Sequence, residues 1–291
     1  MNTDAWRSAG ETVPTVDGSV FSISLQPTTP NNATPVLCLH GFPTSSWDFA
    51  EAAKIVARDR RVHLFDFLGF GFSAKPEDYA YSLFEQADVA CAVARARGIT
   101  RAHIWAHDMG TSVGAELLAR RERGLLPFEI ESLILMNGSV HIEMAAPTLG
   151  QHILLSPAGA LFARLARQST FAAQMRRIFG VAPSEETLAS MWTLLSRDDG
   201  ARRLPAIIRY MRERARFRKR WIGALARLDV PALVGWGALD PVAVLAIAER
   251  LASEIPKAEK VVWPDLGHYP QVEAPARVAE TVTDFLRRIG G

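Results

Sequence analysis

Short aliphatic and β-branched runs recur along the chain with helical patterns between them: TPVLCLH at 34–40, RVHLFDF at 61–67, RAHIWAH at 101–107, ESLILMN at 131–137, VPALVGWG at 230–237 and AEKVVWP at 258–264. Their near-continuous apolar character predicts strands covered on both faces, which requires crossover helices and a mostly parallel sheet. Amphipathic stretches at about 47–59, 82–97, 110–123, 241–254 and 275–288 supply those helices. Val13 to Leu25 reads as a hairpin at the sheet edge, turning at Asp17-Gly18. The rhythm stops once, from Gly138 to about Trp221, where only helical stretches rich in Leu, Ala and Arg occur. The expected architecture is therefore an α/β core of residues 1–137 and 222–291, with a helical cap inserted at 138–221 over the ligand-binding edge of the sheet.

Composition narrows this only slightly. Lys and Arg number 33 against 31 Asp and Glu, a net charge of +2 that creates no global field for nucleic acid or an anionic membrane. The densest basic run, RRLPAIIRYMRERARFRKR from Arg202 to Arg220, reads as a solvated helix face. Cys38 and Cys91 lie in apolar or helical runs and read as buried packing residues, which suits a reducing compartment. The N-terminus lacks a basic start followed by an apolar block, and no stretch is long and apolar enough for a membrane span, so a cytoplasmic monomer or homodimer is expected. No metal-ligand spacing occurs, and no metal or organic cofactor is expected.

The chemistry concentrates at strand ends. In RAHIWAHDMG a strand runs straight into a helix, with Ala106 and Gly110 flanking Asp108 two residues either side. Small residues there permit a tight strand-to-helix elbow whose apex projects into a cleft. Taken alone, Asp108 reads more readily as a helix N-cap than as a functional apex. His40-Gly41-Phe42-Pro43 ends an earlier strand, so the amides of Phe42 and Met109 can form an oxyanion hole. Asp240 and His268 follow the last two predicted strands, giving the chain order elbow, acid, histidine.

At these places the sequence resembles the α/β-hydrolase superfamily, in the branch of epoxide hydrolases and haloalkane dehalogenases, through HGFPTSSWDF, DFLGFGFSAKP, AHDMG, GWGALDPV and GHYPQVEAP. FGFSAKP, YSLFEQA, RDDG and RFRKRWIGAL are also similar to the mesoderm-specific transcript family of vertebrates. The resemblance implies Asp108 as nucleophile, His268 as the base that activates water, and Asp240 as its partner. A carboxylate needs no base to make it nucleophilic, which leaves the histidine for hydrolysis of the ester.

Leaving-group chemistry separates the two enzyme classes. A halide needs indole or amide donors, yet Met109 stands where both families usually carry Trp, which argues against a dehalogenase. An epoxide needs an acid, which the resemblance assigns to Tyr210 in RYMRER, the lone tyrosine between Tyr81 and Tyr269. His152, at the start of the cap, or His141 would be the second donor. His40, Trp47, His107, Trp192 and Tyr269 are candidate pocket residues, as are Phe42, Met109 and Trp236. Asp66 reads as a loop organiser, and Glu143 and Asn137 as bystanders. The expected activity is hydrolysis of an apolar epoxide; a haloalkane dehalogenase or a binding protein without turnover are the alternatives.

Overall fold

The computed structural model describes residues 2–290. Its eight strands form one sheet: β1 (Glu11–Thr15), β2 (Gly18–Leu25), β3 (Val36–Leu39), β4 (Val62–Phe65), β5 (Arg101–His107), β6 (Glu129–Met136), β7 (Ala232–Gly237) and β8 (Ala258–Trp263), in the order β1-β2-β4-β3-β5-β6-β7-β8. β1–β2 and β2–β4 are antiparallel, and the remaining pairs are parallel. β3, β4 and β7 are buried throughout, the outcome their unbroken apolar runs demand. The edge hairpin forms as expected with its turn one residue earlier, because Thr15 pairs with Gly18 and leaves Val16 and Asp17 as the turn.

Two apolar layers sandwich the sheet. One contains Leu39, Ile104, Ala106, Val113 and Leu133; the other contains Cys38, Phe49, Trp105, Ile134 and the helix Pro275–Arg288. Both cysteines are free and buried. A short helix, Thr3–Ser8, was not expected; Asn2 caps it and it plants Trp6 in the second layer. Six residues are too few turns to show a helical period in sequence.

Between β6 and β7 the chain is helical: Leu149–Leu155, Gly159–Arg164, Gln168–Arg176, Glu185–Ser196, Gly200–Ile207, Tyr210–Arg216 and Arg218–Ala226. Two carboxylates fasten this segment to the sheet side. Buried Glu116, on the helix Met109–Arg121, accepts from Arg220 at 2.7 and 2.9 Å and from Trp221 Nε1 at 2.9 Å. Glu273 accepts from the amides of Gly180, Val181 and Gly267, each at 2.8 Å. No helix among the described residues is long and apolar enough to cross a membrane.

Candidate active site

Asp108 stands between β5 and the helix Met109–Arg121 with φ 44° and ψ −111°, a conformation that costs a non-glycine residue on the order of 1–3 kcal/mol. Its surroundings enforce it. A Cβ on Gly110 would lie 2.1 Å from the Leu39 carbonyl oxygen, and one on Gly41 would lie 2.7 Å from Asp108 Cβ, so β3 and the elbow touch through glycine alone. The Asp108 amide donates to the Met136 carbonyl at 3.1 Å, and its own carbonyl accepts from Thr111 Oγ1 at 2.7 Å. The side chain makes no capping bond to the helix. Instead Oδ2 accepts from the Phe42 amide at 2.8 Å. Of the two expected amide donors, Phe42 is the one that meets the carboxylate.

His268 and Asp240 come together from the loops after β8 and β7. His268 Nδ1 donates to Asp240 Oδ2 at 2.7 Å. Asp240 Oδ1 accepts from the amides of Val242 and Ala243 at 2.7 and 3.0 Å, while Asn137 Nδ2 donates to Oδ2 at 2.8 Å. With all these donors the carboxylate cannot turn, and the imidazole is held with Nδ1 on the acid, which makes Nε2 the nitrogen that can exchange a proton. Asn137, read from sequence as a bystander, thus fixes the acid, and it does so from a backbone at φ 41°.

The charges are coupled. Burial opposes ionisation of Asp108, but Arg214, His268, His107 and the Phe42 amide outweigh it and hold the carboxyl below its usual range. Burial likewise opposes a charge on His268, yet Asp240, by charge and hydrogen bond, and then Asp108 raise it to about 9.

Arg214 is the residue that sequence reasoning missed. It is 2% exposed, donates from Nε to Ser112 Oγ at 2.8 Å and from Nη2 to the Asp108 carbonyl at 3.0 Å, and lies 4.6 Å over the Tyr210 ring. The solvated-face reading holds for Arg202, Arg209, Arg212, Arg216 and Arg218 but fails here. Tyr210 and Arg214 are four residues apart on one helix, so a buried tyrosine places the arginine on the same inward face. That spacing was the available signal.

Tyr210 sits between this guanidinium and the Phe42 ring, 5.8 Å away. Burial pushes its phenol up, and the Asp108 charge adds to the effect. The two histidines considered as a second donor are elsewhere. His141 spends both ring nitrogens on carboxylates, Nδ1 on Glu143 at 3.1 Å and Nε2 on Glu254 at 2.7 Å. His152 is exposed on the helix Leu149–Leu155.

An apolar cavity of about 460 Å³ runs through the helical segment and ends on Phe42 and His268. Of the expected pocket residues, Phe42 and Trp192 line it. The others have structural positions. His40 accepts from the Phe67 amide at 2.9 Å and donates to the Gly41 carbonyl at 2.9 Å, and burial lowers its pKa to about 3. His107 donates to the His268 carbonyl at 2.7 Å, and Tyr269 donates to the Phe42 carbonyl at 3.3 Å. Trp47 faces a separate cavity with Asp48 and Gln271. Trp236 donates to the Ala243 carbonyl at 2.7 Å, supporting the Asp240 loop, and Met109 is wholly buried. Asp66 accepts from the Ser46 and Phe72 amides at 2.9 and 2.8 Å and organises its loop.

An ionised carboxylate with one oxygen in an amide hole can attack an electrophilic carbon. A histidine paired to a fixed acid can activate water against the ester so formed.

Comparison with known proteins agrees with this architecture. The chain is 41% identical to the LipZ protein of Mycobacterium tuberculosis over 283 residues, covering 97% of this chain and 96% of that one. It is 37% identical to the mesoderm-specific transcript homolog protein of Homo sapiens over 264 residues, 86% of this chain and 78% of the relative. Haloalkane dehalogenase DbeA from Bradyrhizobium elkani superposes with a TM-score of 0.81 at 21% identity, covering 96% of this chain and 98% of its own, a likeness of fold. The model of the α/β hydrolase fold matches residues 34–275, and the chain belongs to that family.

Proposed function

We propose that this protein is an epoxide hydrolase that works through an ester of Asp108 beneath a helical lid formed by residues 138–221. The observation that carries the reading is the apex itself: a carboxylate whose Oδ2 is bonded to the amide of Phe42, a residue that lines an apolar cavity together with an Asp240-held histidine.

In the first step Asp108 Oδ1 attacks a ring carbon of the epoxide, the carbon–oxygen bond breaks, and the alkoxide takes the proton of the Tyr210 hydroxyl. In the second, His268 Nε2 takes a proton from water as the hydroxide adds to the ester carbonyl carbon of Asp108. The resulting oxyanion, on Oδ2, is met by the Phe42 amide. Collapse expels the alkoxide, which takes the proton back from His268 and leaves as the diol; the carboxylic acid left on Asp108, carrying one water-derived oxygen, returns its proton to the Tyr210 phenolate. Arg214 gives a second reading some footing, because a guanidinium beside the carboxylate can receive a departing halide as well as an alkoxide.

Both readings are tested by the intact mass of a His268→Gln variant exposed separately to epoxides and haloalkanes. An adduct of the whole epoxide mapped to Asp108, absent in Asp108→Ala, supports the hydrolase. An alkyl adduct with halide released replaces it with the dehalogenase. No adduct from either panel overturns covalent turnover and leaves a binding protein.

A further inference from the structure

The cavity opens through a part of the lid that carries no negative charge. From Ala145 to Ser184 the chain has no Asp or Glu, yet Arg164, Arg167, Arg176 and Arg177 fall within it. Leu161 and Leu165 line the cavity while being 62% and 64% exposed, and exposed Arg167 lines it beside them, so these residues mark its mouth. Leu149, 73% exposed, lies between Thr148 and Gly150, which also line the cavity. Leu161 and Leu165 are one helical turn apart and share a face, with Arg164 beside them. Arg176 pairs with Glu185, whereas Arg164 and Arg167 have no ion pair among the described residues.

Scattered surface leucines need no explanation, but leucines gathered with cations around the entrance of an apolar cavity do. A small molecule arriving through water requires no such rim. A second copy of the chain suits it poorly, because two-fold pairing of this face would set arginine cluster against arginine cluster. An anionic bilayer satisfies both halves of the pattern, its acyl layer receiving the leucines and its phosphates the arginines.

We propose that this face of the lid docks on an anionic lipid bilayer, and that the cavity draws its apolar substrate directly from the membrane. This goes beyond the epoxide reading and stands or falls without it. The net charge of +2 over the whole chain conceals the local field, since the lid's arginines are offset by carboxylates elsewhere.

Flotation with phosphatidylcholine vesicles, with and without phosphatidylglycerol, tests the proposal. The protein should float with the anionic vesicles and be released as salt is raised. Each arginine near such a surface contributes on the order of fivefold, so Arg164→Glu with Arg167→Glu should weaken binding at least tenfold. Leu149→Ser, and separately Leu161→Ser with Leu165→Ser, should weaken it at any salt concentration. Thermal melts establish that each variant is folded. A wild-type protein that stays unbound, binding that ignores phosphatidylglycerol, or binding that survives both double variants overturns the proposal. So does a wild-type dimer that these substitutions split, which would make the face a contact between copies.

Discussion

The guanidinium of Arg214 lies 3.7 Å from Asp108 Oδ1 and bonds the carbonyl of the same residue, so one buried cation touches both the charge and the backbone of the elbow. The two contacts have separable consequences. The ion pair favours ionised Asp108 and keeps the carboxylate charged in a site that burial would otherwise neutralise. The backbone bond adds to those from Thr111 and supports a strained conformation.

Replacing Arg214 with Gln should therefore move the acid limb of the first step to higher pH, as the Asp108 carboxyl returns toward or above its ordinary range. Linkage has a definite sign here. A carboxyl lowered in the fold stabilises it above the unfolded value, and that stability is lost as pH falls through the folded value. Removing one partner of a buried pair typically costs about 3–5 kcal/mol. Pre-steady-state ester formation against pH, together with a thermal melt, checks both effects. A lower melting temperature with an unmoved acid limb would reduce Arg214 to a backbone prop.

On the epoxide reading, Tyr210→Phe should separate the two chemical steps. The alkoxide of the first step needs a proton, whereas hydrolysis of the ester does not draw on the phenol. Loss of a general acid costs about 10²–10⁴-fold, so ester formation should slow by roughly that factor while ester hydrolysis is unchanged. Rapid-quench measurement of both steps decides; a slowed second step would remove Tyr210 from the acid role.

Gly110→Ala tests the elbow. Helix propensity alone would favour Ala by about 1 kcal/mol. The new Cβ would meet the Leu39 carbonyl oxygen at 2.1 Å, and that oxygen belongs to a central strand that cannot retreat. Net destabilisation of at least about 3 kcal/mol is expected, the upper range for overpacking. Denaturant unfolding measures it, and an unchanged midpoint would show that the elbow has slack.

Much of this was legible because it is local. Unbroken apolar runs placed the six parallel-sheet strands to within one or two residues, and small residues around Asp108 disclosed a turn that only Ala106 and Gly110 allow. What escaped depends on partners far along the chain. His141 looks available in sequence because its acceptor Glu254 is 113 residues away. Arg214 was averaged into a charge run most of whose members are exposed, although its spacing from Tyr210 carried the correction. His40, through both ring nitrogens, and His107, through Nε2, sit among site motifs but brace the strand-end loops, a distinction made by partners that no motif specifies.

The pH dependence of the second step follows from which charges surround His268. In the resting site burial opposes its protonation, but Asp240 and Asp108 raise it to about 9, so near neutral pH the imidazole is largely charged and cannot accept a proton. On the proposed mechanism, esterification of Asp108 would remove one of those two negative charges while leaving the Asp240 bond of 2.7 Å intact. The histidine of the ester intermediate should therefore titrate below the value of the free enzyme, and the base appears when the intermediate forms. Single-turnover ester hydrolysis should rise with pH through an apparent pKa under about 9, while direct titration of His268 in the free protein by NMR should give the higher value. Asp240→Asn should lower both and slow hydrolysis by about 10⁴-fold through loss of the tautomer. Equal values in the free enzyme and the intermediate would mean that Asp108 keeps its charge during turnover, which is incompatible with an ester at that carboxylate.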